Sequence, residues 1–335
     1  MLINLLKLMQ SKLTIIIPCY NQTHYLRLLL ESLKEQTFQD FEIIIIDDFS
    51  SENYLSFLEE FRKYFKISYL RNKKNLGAIK NMFYSITFSV KTPYVVCLHE
   101  DDFLHKKYLE LAIDTLEKNE NIIFVGCENI TFFNTEDYLK KKAISENNAI
   151  TKKIRLLDRL GFVKYILSGK HFTFGSVVYR ESAVCNNQPN FIDYSISCDR
   201  PFLVELLKSD IDRCAIFVTP MLFYRDHGYK DNRGDSLDYK HILRLYEYYY
   251  EQIESNLQND LSLFYRNATN NILYAYTNLK NKQISFWQFV KLARESRVIN
   301  FKYLNHIGIF AIVSLFLGRK ISYMLHKLLK NIKII

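Results

Sequence analysis

Short, wholly apolar runs alternate with amphipathic ones over the first 127 residues. Leu13 to Pro18 (LTIIIP) reads as a buried strand ended by proline, and Phe41 to Ile46 (FEIIII) as a second. Ile67 to Leu70, Tyr94 to Leu98 (YVVCL) and Ile122 to Cys127 continue the series. Strands apolar on both faces are typical of parallel sheets covered by helices. Between them, apolar residues recur at helical spacing. Leu26, Leu29, Leu30 and Leu33 mark a helix over Tyr25 to Gln36. Leu55, Leu58, Phe61 and Phe65 mark one over Glu52 to Phe65, with Ser51 as its N-cap. Further helices are expected over Ile79 to Ser89 and Tyr108 to Lys118. Strictly alternating strands and helices predict an open, mostly parallel α/β sheet with helices on both faces.

The pattern then loosens. Asn134 to Lys153 is polar with mixed charges and reads as a surface excursion, followed by a helix over Arg155 to Leu167. Five of the nine glycines lie between Gly161 and Gly234, around a segment that reads as irregular apart from a helix over Arg200 to Leu207, for which Asp199 is a candidate N-cap. After Ser236 long Tyr- and Leu-rich stretches with helical spacing run to the end, with no glycine between Asp235 and Ile307. Two regions are expected: 12–235, carrying the α/β sheet, and 236–335, helical.

Composition removes several functions. The chain of 335 residues holds only 9 glycines, and neither G-x-G-x-x-G nor G-x-x-x-x-G-K-[ST] occurs. A bound nucleotide is therefore not held in a Gly-rich phosphate cradle. The six cysteines (Cys19, Cys97, Cys127, Cys185, Cys198, Cys214) are scattered without C-x-x-C spacing, as expected of reduced thiols in a cytoplasmic protein. Lys and Arg total 45 against 36 Asp and Glu, a formal net charge of +9. That excess suits nucleic acid, anionic lipid or phosphate-bearing substrates. No nucleic-acid-binding module is recognisable, so nucleic acid is not an expected partner.

Ligands of open α/β sheets bind beyond the carboxyl ends of the strands. Three polar clusters fall there: Tyr20-Asn21, Asp47-Asp48 and Glu100-Asp101-Asp102. Adjacent carboxylates are costly without a positive partner, and a divalent cation bridged to a diphosphate is a natural one.

At these positions the chain resembles the family 2 glycosyltransferases of the GT-A fold. The matching blocks are IIIPCYNQTHYL, SLKEQTFQDFEIIIIDDFSSE, NKKNLGAIKN and LHEDDFLHKKYLE, then GSVVYRES, CDRPFLVELL and FYRDHG. The resemblance covers about residues 12 to 235. It implies a Rossmann-like mixed sheet, a nucleotide-diphosphate sugar as donor, and a glycan or lipid-linked acceptor in cell-surface polysaccharide synthesis. It also implies a divalent metal, Mn2+ or Mg2+. Position by position, Pro18, Tyr20 and Asn21 would line the base and ribose site, and Asp48 would accept a hydrogen bond from the base. Asn75, Gly77 and Lys80 would border the nucleotide. Asp101 and Asp102 would stand at the metal, with Asp102 the direct ligand, and His227 would return to the diphosphate or metal. Asp199 would be the general base of an inverting transfer. His99 stands where the family usually has a first acid, and Cys198 where it usually has Glu. A non-catalytic nucleotide-sugar-binding protein and a nucleotidyltransferase are the alternatives.

Near the C-terminus, the apolar stretch Ile307 to Leu317 is too short to span a bilayer. Arg319, Lys320, Lys327, Lys330 and Lys333 follow, interleaved with Ile321, Met324, Leu325, Leu328 and Leu329. This pattern is that of a basic amphipathic helix. The expected reading is docking on the anionic inner face of the cell membrane, weighed against packing on the catalytic domain. The tyrosines of Leu245 to Tyr250 are expected in packing rather than sugar stacking.

Overall fold

The computed structural model describes residues 11–148, 150–168, 173–184, 198–226 and 239–254, with 264, 265, 268, 285, 287, 288, 291 and 295. His227, Cys185 and the basic tail lie outside the described residues.

Strands β1 (Leu13–Cys19), β2 (Phe41–Asp47), β3 (Ile67–Arg71) and β4 (Tyr94–Cys97) form the parallel half of one sheet, in the order β3-β2-β1-β4. Leu13 pairs with Phe41 and Cys19 with Asp47, so the polar residues after each strand emerge along one edge. Helix α1 (Thr23–Lys34) buries Leu26, Leu29, Leu30 and Leu33, the stripe its spacing predicts. Those leucines join one apolar core with Leu13, Ile15, Ile17, Ile43 and Ile45. Ile16 and Ile46 are buried as well. Helix α2 (Tyr54–Leu58) is much shorter than expected and is capped by Asn53, whose Oδ1 accepts from Ser56 N, not by Ser51. Helix α3 (Ala78–Ile86) packs across β1 and β4.

The other half of the sheet is mixed. It uses β5 (Phe103–Leu104), β6 (Ile122–Phe132), β7 (Ile154–Leu157), β8 (Val178–Arg180) and β9 (Arg213–Arg225). Strand β8 runs antiparallel between β4 and β6, while β9 runs parallel to β6. Strands β5 and β7 both pair antiparallel with β9. Helix α4 (Tyr108–Lys118) lies against β6.

Three expectations change. The polar stretch after Asn134 is a helix, α5 (Thr135–Asn147), capped by Asn134 Oδ1 on Asp137 N at 2.9 Å. Its Glu136–Lys140 and Asp137–Lys141 pairs replace an apolar stripe, so no periodicity announces it. The helix expected from Arg155 starts only at Arg159 (α6, Arg159–Leu167), because 154–157 form edge strand β7. The segment read as irregular contains β8, helix α7 (Glu181–Val184) and the 13-residue β9, while the helix expected over Arg200 to Leu207 is present as α8 (Asp199–Leu206). Pro220 sits where the β6–β9 register breaks between Cys127 and Asn129, a place where its missing N–H costs no ladder bond.

Contacts divide the chain into two units. The first holds the described residues of Met1–Arg159, His171–Asn190 and Leu203–Asp231; the second holds those of Leu160–Lys170, Phe191–Phe202 and Asn232–Ile335. The described residues of 160–170 and 191–202 thus group with those of the C-terminal region rather than with the sheet. In the second unit, helix α9 (Tyr239–Glu254) buries Leu245, Tyr249 and Ile253, and Tyr250 meets Phe264 at 5.5 Å. That is packing, as expected of this tyrosine stretch.

Candidate functional site

The turns after β1 and β2 are tied together. Asn21 adopts φ 53°, a left-handed conformation Asn tolerates better than most residues. Its Oδ1 accepts from Ser51 N (2.8 Å) and Ser51 Oγ (3.0 Å), and its own N–H donates to Ser50 Oγ. The open start of α1 is satisfied from the same loop: Thr23 N donates to Glu52 Oε2 at 2.8 Å and Gln22 N to Tyr54 Oη at 3.0 Å. Asp47 is fully buried and structural. It accepts from Ser50 N and Tyr69 Oη, with Arg71 Nε 3.4 Å away. These bonds leave Tyr20 exposed at the edge beside half-buried Pro18.

Asp48 does different work from its neighbour. Its Oδ1 accepts from Asn72 Nδ2 and Leu76 N, both at 2.8 Å, and its Oδ2 from Gly77 N at 2.9 Å. Three of roughly four acceptor directions are used. The carboxylate therefore shapes the 72–77 loop. Gly77 takes φ 85° to enter α3, with Asn75 Oδ1 accepting from its N–H, and Asn75 and Lys80 stay exposed.

Glu100 and Asp102, which both follow β4, have different partners. Glu100 accepts from Tyr20 N (3.0 Å) and Tyr54 Oη (3.1 Å), so it braces the first turn. Burial pushes its carboxyl up to about 7. Its role was not foreseen; the signal was an acid one residue ahead of the Asp pair. Asp102 is buried too. Oδ1 accepts from the backbone N–H of Arg225 at 3.0 Å. Oδ2 lies 3.3 Å from His99 Nδ1 but takes no hydrogen bond of normal geometry. Burial drives the Asp102 carboxyl above its usual range, against the pull of His99. Gly175 closes this side: a Cβ there would lie 3.3 Å from Asp102 Oδ2.

His99, Asp101 and Asp102 each offer a donor atom, all within 4.8 Å of one another. One imidazole nitrogen and two carboxylate oxygens, one of them buried and lacking a hydrogen-bond donor, fit a divalent cation. His99 thus joins the cluster in place of the usual acid.

Asp199 is the first residue of α8 and belongs to the second unit. Burial depresses the Arg200 guanidinium, but Asp199, Tyr249 and Tyr246 outweigh it and hold it above its usual value. Cys198 is buried, its thiol pushed up to about 12 by desolvation. The five described cysteines are all free and buried.

The carboxylate cluster and the tied pair of turns lie at the carboxyl edge of the β3-β2-β1-β4 sheet, where open α/β proteins bind their ligands. The family model of glycosyl transferase family 2 matches residues 14–183, and the chain belongs to that family. An uncharacterized glycosyltransferase of Haemophilus influenzae is 31% identical over 153 residues, 44% of this chain and 50% of that protein. The bifunctional glycosyltransferase pgtA of Dictyostelium discoideum is 25% identical over 252 residues, 67% of this chain and 31% of that protein. The chain spans half the length or less of these curated relatives. Among solved structures, Staphylococcus aureus TarS 1–349 matches with TM-score 0.55 and 14% identity over 92% of each chain. The mannosyltransferase PcManGT of Pyrobaculum calidifontis, in complex with GDP-Man and Mn2+, matches with TM-score 0.51 and 12% identity over 92% and 87%. At such identities these two establish the shared fold.

Proposed function

We propose that this protein transfers a sugar from a nucleotide-diphosphate sugar to a hydroxyl of a glycan or lipid-linked acceptor, with inversion, in cell-surface polysaccharide synthesis. The observation that carries the reading is the convergence of the Tyr20-Asn21 turn, Asp48 with its 75–77 loop, and the His99/Asp101/Asp102 cluster on one sheet edge. Exposed Tyr20 offers a ring to a base, and the Asn75–Lys80 segment offers polar atoms and a cation to a ribose diphosphate. His99, Asp101 and Asp102 would hold Mn2+ or Mg2+. Bound there, the cation neutralises charge developing on the diphosphate leaving group. His227 is assigned to the same centre on its motif alone. Asp199 is assigned the base: one carboxylate suffices to take the acceptor proton as the hydroxyl attacks. Among the described residues no helix is long and apolar enough to cross a membrane. The basic tail is proposed to dock the enzyme on anionic lipid.

Thermal unfolding with UDP-, GDP- and dTDP-sugars, with and without Mn2+, followed by product analysis, tests this. Stabilisation by one donor, increased by Mn2+, and release of a nucleoside diphosphate are expected. Asp199→Asn should keep the donor-induced shift and lose roughly 100-fold or more in turnover, the usual scale for a general base. Pyrophosphate release would instead mark nucleotidyl transfer, and an active Asp199→Asn would remove the base assignment.

A further inference from the structure

Arg225 ends β9 with a buried guanidinium in an aromatic cage. Its Cζ lies 4.2 Å from the ring centre of Tyr25, 4.6 Å from Phe132 and 5.8 Å from Phe103. Nε donates to the carbonyl of Asp101 at 3.3 Å, and the backbone N–H of the same residue donates to Asp102 Oδ1. Nη2, by contrast, is buried without a hydrogen-bond partner. Burial also depresses the guanidinium, against the favourable pull of Asp101 and Asp102.

For stability alone this is a poor choice. Three rings form an apolar slot that an unbranched thioether would fill without burying a charge or an orphaned donor. What arginine adds is the bond from Nε to Asp101, made from a side chain the rings hold still. The acidic motif is then fixed at two points from one residue: a carbonyl by the side chain and a carboxylate by the backbone. The strand pairing of Phe103 with Phe223 and the His105 N–H to Met221 carbonyl bond keep the two segments in register.

We infer that Arg225 is a positioning residue, which sets the Asp101-Asp102 turn so that its carboxylates face one cation with His99, at a cost in stability. This rests on the proposed metal site. The test is Mn2+ titration of the full-length protein followed by electron paramagnetic resonance, alongside thermal unfolding without metal. Arg225→Met should unfold no earlier than wild type yet bind Mn2+ roughly tenfold more weakly, about 1.4 kcal/mol. Arg225→Lys keeps a cation in the cage but cannot match the Nε geometry, so its affinity should fall in between. Should Arg225→Met fail to fold, the lysine variant decides: weakened binding at unchanged melting temperature supports the inference, wild-type affinity overturns it. A folded Arg225→Met with wild-type Mn2+ affinity overturns it too, as does a lower melting temperature with unchanged affinity. Wild-type protein that takes up no Mn2+ would instead remove the metal reading on which the inference stands.

Discussion

Gly175 borders the cation site proposed at His99, Asp101 and Asp102. It lies in a short 3-10 turn (Phe174–Ser176), in a conformation that alanine can adopt, so substitution tests space alone. Gly175→Ala would place a methyl 3.3 Å from Asp102 Oδ2 and 3.5 Å from His99 Nδ1, on the side a cation must share. Mn2+ affinity should fall on the order of tenfold, while the melting temperature moves little. Unchanged affinity would mean that the cation approaches from elsewhere. The same scale separates adjacent acids by the partners each one finds. Asp47 and Asp48 both follow β2, and Glu100 and Asp102 both follow β4. Yet Asp47 and Glu100 are spent on neighbouring turns, while Asp102 keeps an oxygen without a donor. For Glu100 and Asp102 the deciding partners lie 80 and 123 residues away, and no local pattern carries them.

Among the elements, the 72–77 loop depends on a single carboxylate. Asp48→Ala removes the acceptor of Leu76 N and one of two acceptors each for Asn72 Nδ2 and Gly77 N, which keep Asn81 Oδ1 and Asn75 Oδ1. Because the loop is partly open to water, the cost should lie at the low end of about 1–3 kcal/mol. Hydrogen exchange should show the Leu76 amide losing protection, more than Gly77, with Asp48→Asn, which keeps a carbonyl, intermediate; Leu76 protection retained in the alanine variant would place the loop's anchor elsewhere. The parallel half of the sheet was legible from sequence because β1, β2 and β4 are apolar on both faces and α1 carries a clean leucine stripe. The mixed half was not. Two-residue β5 is too short to leave a pattern, α5 is held by ion pairs, and β9 contains a proline that punctuates rather than ends it. The loop residues Asn75, Gly77 and Lys80 were read as one segment, but the bond that shapes it comes from Asp48.

Across the whole molecule, buried Glu100 couples stability to pH. Its folded-state value of about 7 exceeds the ordinary 4.5, so the folded chain holds this proton more tightly than the unfolded one. Stability from this group therefore falls as pH rises from about 4.5 to about 7 and is level above that. At 1.36 kcal/mol per unit the swing is about 3 kcal/mol. Glu100→Gln can still accept from Tyr20 N and cannot ionise. Urea midpoints at pH 5 and pH 8 should differ less for this variant than for wild type, and parallel profiles would show that the carboxylate pays no such penalty. The bond between Arg225 and Asp102 has a consequence in time as well as space, since it joins residues 123 apart. A ribosome delivers the acidic turn and the sheet half built on β1 to β4 well before the strand that fixes it. Domains begin to organise from the N-terminal side during synthesis, and contacts of long sequence separation close late. On the proposed cation site, the nascent chain would therefore hold the β1 to β4 half of the sheet before the Asp101-Asp102 turn is set, and metal capture would await β9.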